Sequence, residues 1–210
     1  MKIKWLGHSC FLLTADNGTK VLTDPYDPYI GYKLPPVEAD IVTTSHMHND
    51  HNNIRGVKGN FRHISETGTF DLNGVRITGI PTFHDNEGGS RRGGNIVYIF
   101  EMDSLRICHC GDLGHVPTKE LADRIGRVDV LLVPTGGIFT IDAAGAAETV
   151  RILKPSAAIP MHYKTSLLTF KLDGVDKFLA SAGGVKSEKH EIEVKADNLA
   201  ALPKVLVLSL

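Results

Sequence analysis

The sequence has no long hydrophobic run. No stretch of about 18 consecutive apolar residues occurs, so we expect no membrane-spanning helix. Near the N-terminus, Gly7, His8 and Ser9 interrupt the apolar stretch, whereas a signal peptide needs an unbroken one. We therefore predict a cytoplasmic protein without a membrane partner.

The sequence also has few cysteines and almost no net charge. Three cysteines in 210 residues make no disulfide framework, and Cys108 and Cys110 are interpreted as small residues of one strand. The 23 Lys and Arg residues nearly balance the 24 Asp and Glu residues, so the net charge of −1 does not favour a nucleic-acid partner. The composition is that of an ordinary globular protein, and the length predicts a single domain over residues 1–210.

Short runs rich in valine and isoleucine, bounded by glycine, aspartate or proline, predict many β-strands. The predicted strands are Lys2–Leu6, Cys10–Thr14, Lys20–Thr23, Ile41–Ser45, Val75–Ile80, Asn95–Met102, Leu105–Cys110, Asp129–Pro134, Ala157–Met161, His190–Val194 and Val205–Leu208. Capping and periodicity predict three helices, over Thr118–Ile125, Asp142–Leu153 and Val175–Ala182. Many strands with few helices predict an α/β domain in which two sheets stack and the helices lie outside.

The segment Thr44–His51, with the sequence TSHMHNDH, carries the strongest chemical signal. It begins where a predicted strand ends, and imidazole and carboxylate groups are ligands of Zn²⁺. His46 and His48 lie two residues apart in an extended segment, so their rings can point to the same side. Asp50 and His51 follow the bend and can face a second position. The alternative interpretation is a solvated polar loop.

Four further positions at strand ends carry similar side chains. Asp24, Asp112 and His162 each follow a predicted strand, and His84 follows a strand and a turn. Residues on loops that a rigid sheet positions often perform chemistry. These four residues are therefore expected to complete a two-metal site together with the TSHMHNDH segment.

Together these residues resemble the metallo-β-lactamase-fold superfamily of metal-dependent hydrolases. The likeness is greatest to a short bacterial and archaeal branch related to lactonase-like and phospholipase-like members. It extends over about residues 1–170 and includes the segments Gly7–Phe11, Thr23–Pro25, Gly111–Gly114 and Pro160–Tyr163. The resemblance implies a four-layer αββα sandwich with the metals at one edge of the sheets.

The resemblance also implies a ligand set. His46, His48 and His84 would hold the first metal, and a second metal would bind Asp50, His51 and His162, with Asp112 bridging both. Asp24 would support the ligand loop without touching a metal. The expected cofactors are two divalent ions, with zinc preferred and manganese as the other candidate.

The expected mechanism is hydrolysis without a covalent enzyme intermediate. Two divalent ions about 3.5–4 Å apart make hydroxide available near neutral pH for attack on a carbonyl carbon or phosphorus. Asp50 is expected to orient this nucleophile and accept its proton. His8, in the turn between the first two predicted strands, is the other candidate catalytic residue, which would contact the substrate or protonate a leaving group.

Basic residues near the site predict a small anionic substrate. Arg91 and Arg92 lie in a glycine-rich loop after His84, and Lys164 follows His162 by two residues. A phosphodiester, a lactone and another ester or amide all remain open as substrates, as does the oligomeric state.

Two other function classes also remain open. The chain could be a metal-binding module without turnover, although every ligand position is filled. It could also be a di-iron redox protein, but His48 stands where some redox relatives carry glutamate, which argues against this class.

Overall fold

Two six-stranded sheets stack in the computed structural model, which describes residues 1–210. The strands are β1 (Lys2–Gly7), β2 (Cys10–Thr14), β3 (Lys20–Thr23), β4 (Ile41–Thr43), β5 (Arg62–Ile64), β6 (Gly68–Leu72), β7 (Val75–Phe83), β8 (Gly94–Met102), β9 (Leu105–His109), β10 (Val130–Pro134), β11 (Ala157–Met161), β12 (Val185–Lys186), β13 (Glu191–Glu193) and β14 (Leu206–Val207). The helices are α1 (Lys119–Ile125), α2 (Ala143–Leu153) and α3 (Asp176–Ala182). No helix is long and apolar enough to cross a membrane.

The first sheet has the strand order β13-β1-β2-β3-β4-β5, and the second has the order β11-β10-β9-β8-β7-β6. Each sheet combines an antiparallel part with a parallel part, which is β3-β4-β5 in the first sheet and β9-β10-β11 in the second. Strands β12 and β14 form a separate pair. Parallel strands present their carboxyl ends at one edge of a sheet, so the loops after them meet there.

The inner faces of the two sheets share one core of 44 buried residues. Side chains alternate across a strand, so Val21 and Ile41 enter this core. Their neighbours Leu22 and Val42 enter a smaller cluster on the outer face of the first sheet. The two faces of the first sheet are therefore both apolar and both covered.

The outer layers differ between the sheets. Helix α2 packs against β10 and α3, whereas residues of the proline-rich loop after β3, including Tyr26, Ile30 and Tyr32, cover the first sheet. Prolines suit such a loop because they limit helix formation. The arrangement agrees with the predicted sandwich, with a loop in place of a long helix on one side.

The three predicted helices are present, with Thr118 and Asp142 accepting backbone hydrogen bonds at the starts of α1 and α2. Strands β5, β6 and β12 were not predicted, because they are short and mostly exposed and lack an apolar pattern. Strand β7 runs on through Pro81, since beyond Gly79 it pairs only with β8 and its other side is an open edge.

Candidate metal centre

The TSHMHNDH segment leaves β4 and turns its ligand side chains toward one edge of the sandwich. His51 is fully buried, and His46 and Asp50 are partly buried. The chain bends from Ser45 to His48 instead of staying extended as predicted, and both Met47 and His48 are exposed. The ring centroids of His46 and His48 lie 4.7 Å apart. The local sequence alone therefore brings these two rings together.

Asp112, after β9, lies at the centre of the cluster. Its Oδ2 is 3.2 Å from His84 Nε2 and 3.2 Å from His162 Nε2. Its Oδ1 is 3.3 Å from His51 Nε2. One carboxylate thus reaches histidines from three separate strand ends.

The candidate ligand atoms form two groups, and a third group of His46, His51 and Asp112 links them. His46, His48 and His84 form one group, and Asp50, His51 and His162 belong to the other, which His8 joins. Within each group, one donor atom per residue lies within 4.8 Å of the others. The structure thus brings together all seven residues that the resemblance assigns as ligands.

Several buried donor and acceptor atoms in the cluster have no hydrogen-bond partner. They include His46 Nε2, His51 Nε2, His162 Nε2 and Asp112 Oδ1. Each such group costs about 1–3 kcal/mol when nothing satisfies it. Divalent cations between the two groups would satisfy these atoms, and imidazole and carboxylate groups are suitable donors. The residues therefore fit metal ions.

Charge within the cluster shifts the pKa values of its members. Burial alone would raise the pKa of Asp112, but His162 and His51 outweigh burial and hold that pKa well below its usual range. His51 acts in the same way on Asp50 and lowers its pKa. Burial and the neighbouring His51 lower the pKa of His46 to about 3, so its imidazole is neutral and available as a ligand.

Asp24, fully buried after β3, orients His51. Its Oδ2 accepts from His51 Nδ1 at 2.9 Å and from Ser45 Oγ at 2.6 Å, and its Oδ1 accepts from Ser45 N at 2.7 Å. With Nδ1 donating to Asp24, His51 Nε2 is the nitrogen left to face Asp112 and a metal. Asp24 thus contacts the candidate ligand His51 and belongs to none of the candidate ligand groups; its supporting role stays a prediction.

Asn95, at the start of β8, is a positioning residue that sequence reasoning missed. Its Oδ1 accepts from Asp112 N at 2.9 Å, and its Nδ2 donates to Thr82 Oγ1 at 2.8 Å and to Cys110 O at 2.9 Å. These contacts fix the backbone from which Asp112 projects. No sequence signal could have found it, because a single asparagine in a strand has no partner spacing.

A cavity of about 300 Å³ opens onto the ligands. Its lining combines ligand groups, two arginines and two phenylalanines: His48, Asp50, His84, Arg91, Arg92, Asp112, Phe139, His162 and Phe170. Phe139 and Phe170 were not predicted, since single phenylalanines in loops have no spacing that relates them to the ligand motifs. The cavity lining therefore combines candidate metal ligands with basic and apolar side chains.

The two arginines differ in their contacts. Arg91 forms an ion pair with Glu87, with Nη2 to Oε1 at 2.7 Å and Nε to Oε2 at 2.9 Å. Arg92 has no carboxylate partner; its Nη2 donates to Ile138 O at 3.0 Å, and its guanidinium lies over the Phe139 ring at 5.4 Å. Only Arg92 therefore presents an unneutralised positive charge to the cavity.

The glycine-rich loop that carries these arginines is built around Asp85. The Asp85 carboxylate accepts four backbone N–H bonds, from Glu87, Gly89, Arg91 and Arg92. Burial opposes ionisation, but these donors outweigh it and hold the pKa of Asp85 well below its usual range. One ionised carboxylate therefore organises the loop that carries both arginines.

Two expected substrate contacts are not where sequence reasoning put them. Lys164 does not line the cavity; its Nζ donates to the carbonyls of Leu168 and Phe170 and so holds their loop. His8 is fully buried beneath the ligands, with Nε2 at 3.2 Å from Asp50 Oδ2. Burial, reinforced by His162, lowers the pKa of His8 to about 4. His8 therefore contacts the ligands rather than the cavity.

Comparisons with known proteins agree with this geometry. A family model described as beta-lactamase superfamily domain matches residues 2–162. A UPF0173 metal-dependent hydrolase from Archaeoglobus fulgidus is 32% identical over 203 residues, covering 81% of this chain and 87% of that protein. Another, from Thermoplasma acidophilum, is 32% identical over 213 residues, covering 88% of this chain and 92% of that protein.

A solved structure from Thermotoga maritima is also similar. That protein is assigned to the metallo-beta-lactamase superfamily and proposed to be a Zn-dependent hydrolase. It is 43% identical, with a TM-score of 0.82, over 99% of this chain and 97% of that chain. The similarity thus extends over the sheets and over every loop that carries a ligand.

Proposed function

Because the chain belongs to the metal-dependent hydrolases of the beta-lactamase superfamily and has their fold, we propose that it cleaves a small anionic ester with two divalent metal ions. The observation that carries this proposal is the position of Asp112, within 3.3 Å of His51 and within 3.2 Å of His84. These histidines belong to different ligand groups, so one carboxylate can serve two ions.

His46, His48 and His84 would hold one ion, and Asp50, His51 and His162 would hold the other. When bound, such a pair of ions lowers the pKa of water and polarises the substrate oxygen. Zinc suits this nitrogen and oxygen donor set, with manganese as the second candidate. The three free thiols would remain reduced in the cytoplasm, where we place the protein.

Asp50 is the residue we assign to proton handling. It lines the cavity, and the neighbouring His51 keeps its pKa low, so it is ionised at neutral pH. An ionised carboxylate beside the reacting atoms can accept a hydrogen bond from the attacking water and orient it. No side chain of the cavity needs to act as a covalent nucleophile.

Arg92 and the two phenylalanines support the choice of substrate. Arg92 offers a positive charge without a carboxylate partner, which suits a phosphate or carboxylate group. Phe139 and Phe170 give the rest of the substrate an apolar wall. A phosphodiester with an apolar arm fits this cavity better than a neutral lactone or amide.

Metal analysis and a hydrolysis screen on the full chain test the proposal. We expect two zinc or manganese ions per chain and faster cleavage of bis(p-nitrophenyl) phosphate than of p-nitrophenyl acetate or γ-butyrolactone. Asp112→Asn should lose at least about 100-fold in kcat, whereas Asp71→Asn, in an exposed ion pair with Arg76, should not.

The same measurements can reject the proposal. Equal activity in the wild type and in Asp112→Asn would remove the shared carboxylate from the reaction. Tight metal binding without turnover on any substrate class would favour a binding module. Bound iron with a visible chromophore would favour redox chemistry.

A further inference from the structure

His8 is buried against the candidate metal centre, and the proposed mechanism gives it no role. It lies in the turn between β1 and β2, where Gly7 (φ 107°) and His8 (φ 53°) both adopt left-handed backbone conformations. The His8 carbonyl accepts from His162 N at 3.2 Å and from Trp5 Nε1 at 3.0 Å. These two hydrogen bonds fix the His8 backbone and so limit the direction in which its ring can point.

The ring points into the ligand group of Asp50, His51 and His162. His8 Nε2 lies 3.2 Å from Asp50 Oδ2, and the same oxygen lies 3.5 Å from His51 Nε2. The donor atoms of these four residues all lie within 4.8 Å of one another. With five ligands at about 2.0–2.2 Å from a zinc ion and angles of about 90–120° between neighbours, ligand atoms lie about 2.8–3.8 Å apart. Both measured separations fall within this range.

We propose that His8 is a protein ligand of the metal ion that Asp50, His51 and His162 hold. The resemblance to the superfamily gave this position three ligands and the bridging Asp112. The inference rests on the two-metal centre proposed above and adds to it a fifth side chain, His8, on the buried side.

The consequence is an asymmetric centre. His8 and His51 are fully buried and do not line the cavity, so protein encloses the second position on that side, while Asp50 and His162 border the cavity. The first position includes His48, which is exposed and lines the cavity. The ion held by His8 is expected to bind more tightly and exchange more slowly than the ion held by His48.

A positioning role is the competing explanation. In that case His8 Nε2–H donates to Asp50 and never touches the metal. Substitution by glutamine separates the two roles, because the Gln amide can donate to Asp50 but is a poor zinc ligand. His190→Gln is the matched control, since His190 is exposed and its ring contacts only Ser209.

The decisive measurement is NMR of the full chain loaded with ¹¹³Cd and labelled with ¹⁵N-histidine. We expect a one-bond ¹¹³Cd–¹⁵N coupling at His8 Nε2, and we expect His8→Gln to lose it and to bind that ion at least about tenfold more weakly. His190→Gln should keep all couplings. A wild-type spectrum without coupling at His8 overturns the inference, whatever the variants do.

The count of bound ions separates this inference from the proposed function. If the wild type binds a single ion that couples to His8, the two-metal proposal fails and the His8 ligand stands. If two ions bind and neither couples to His8, only the ligand assignment fails.

Discussion

Gly136, two residues beyond β10, lies directly against the main chain of His162. A Cβ on Gly136 would overlap the carbonyl oxygen of His162, far inside van der Waals contact. Gly136 does not adopt a left-handed backbone conformation, so the position requires glycine only because there is no space for a side chain. The loops after two neighbouring parallel strands can therefore approach closely enough to set His162 at the metal centre.

Replacing Gly136 by alanine should push His162 away from the metals. We expect Gly136→Ala to lose about 1–3 kcal/mol in the free energy of unfolding and to bind the second metal ion more weakly. Gly174→Ala is the control, because a Cβ at Gly174 meets no atom within 4 Å. Guanidinium unfolding and metal content measure both effects. Equal stability and metal content in the two variants would contradict the steric explanation.

The Asp24 and Asp40 carboxylates each accept a hydrogen bond from a backbone N–H, but only Asp24 also contacts a candidate metal ligand, His51. Asp24→Asn puts an uncharged amide in place of the carboxylate that accepts the His51 Nδ1 hydrogen bond. We expect metal affinity to fall by about 10–100-fold, as for other groups that orient ligating histidines. Asp40→Asn should leave metal affinity unchanged. Competition with a chromophoric chelator measures both, and similar affinities for both variants would argue against an orienting role.

The neighbouring arginines should differ in their effect on substrate binding. Arg92→Ala removes an unneutralised charge, and we expect KM for an anionic phosphodiester to rise about tenfold or more. Arg91→Ala breaks an ion pair with Glu87 and should raise KM much less. The neutral ester p-nitrophenyl acetate is the control substrate, whose KM neither change should affect. A larger rise in KM for Arg91→Ala than for Arg92→Ala would mean that Arg91 is the arginine that binds the anionic group.

Removal of metal should destabilise the fold, because it leaves buried donors and acceptors without partners. At a zinc concentration about 1,000 times Kd, the bound ion adds about 4 kcal/mol to stability. For a chain of this length, we expect chelation to lower Tm by about 10 °C. Zinc should restore Tm and magnesium should not, since histidine nitrogen suits zinc better. An unchanged Tm after complete metal removal would contradict tight metal binding by the folded chain.

The three cysteines should be unreactive in the folded protein. All of them are buried, and burial raises the pKa of the Cys10 thiol well above its usual range. For Cys110, the adjacent Cys108 thiol and burial raise the pKa in the same direction. Because the thiolate is the reactive form, we expect no labelling by a disulfide reagent at pH 8 in the native state. All three should react in guanidinium; rapid native labelling would show that the core opens.

The sequence by itself pointed to the residues that the structure brings together in the candidate metal centre. A strand followed by TSHMHNDH places four potential ligands within six residues, and that closeness is a property of the local chain. Asp112 and His162 each follow a predicted strand, and the resemblance to the metallo-β-lactamase-fold superfamily implied that they join the same site. These predictions depended on residue spacing, on the predicted strand ends and on that resemblance.

Only the tertiary structure decided how the other residues contribute. His8 lies beneath Asp50 rather than in the cavity, Asn95 holds Asp112, and Gly136 gives His162 its room. The difference between Arg91 and Arg92 likewise depends on which of them meets a carboxylate. Such roles arise from contacts between segments that the fold brings together, and no local spacing encodes which side chain will face which neighbour.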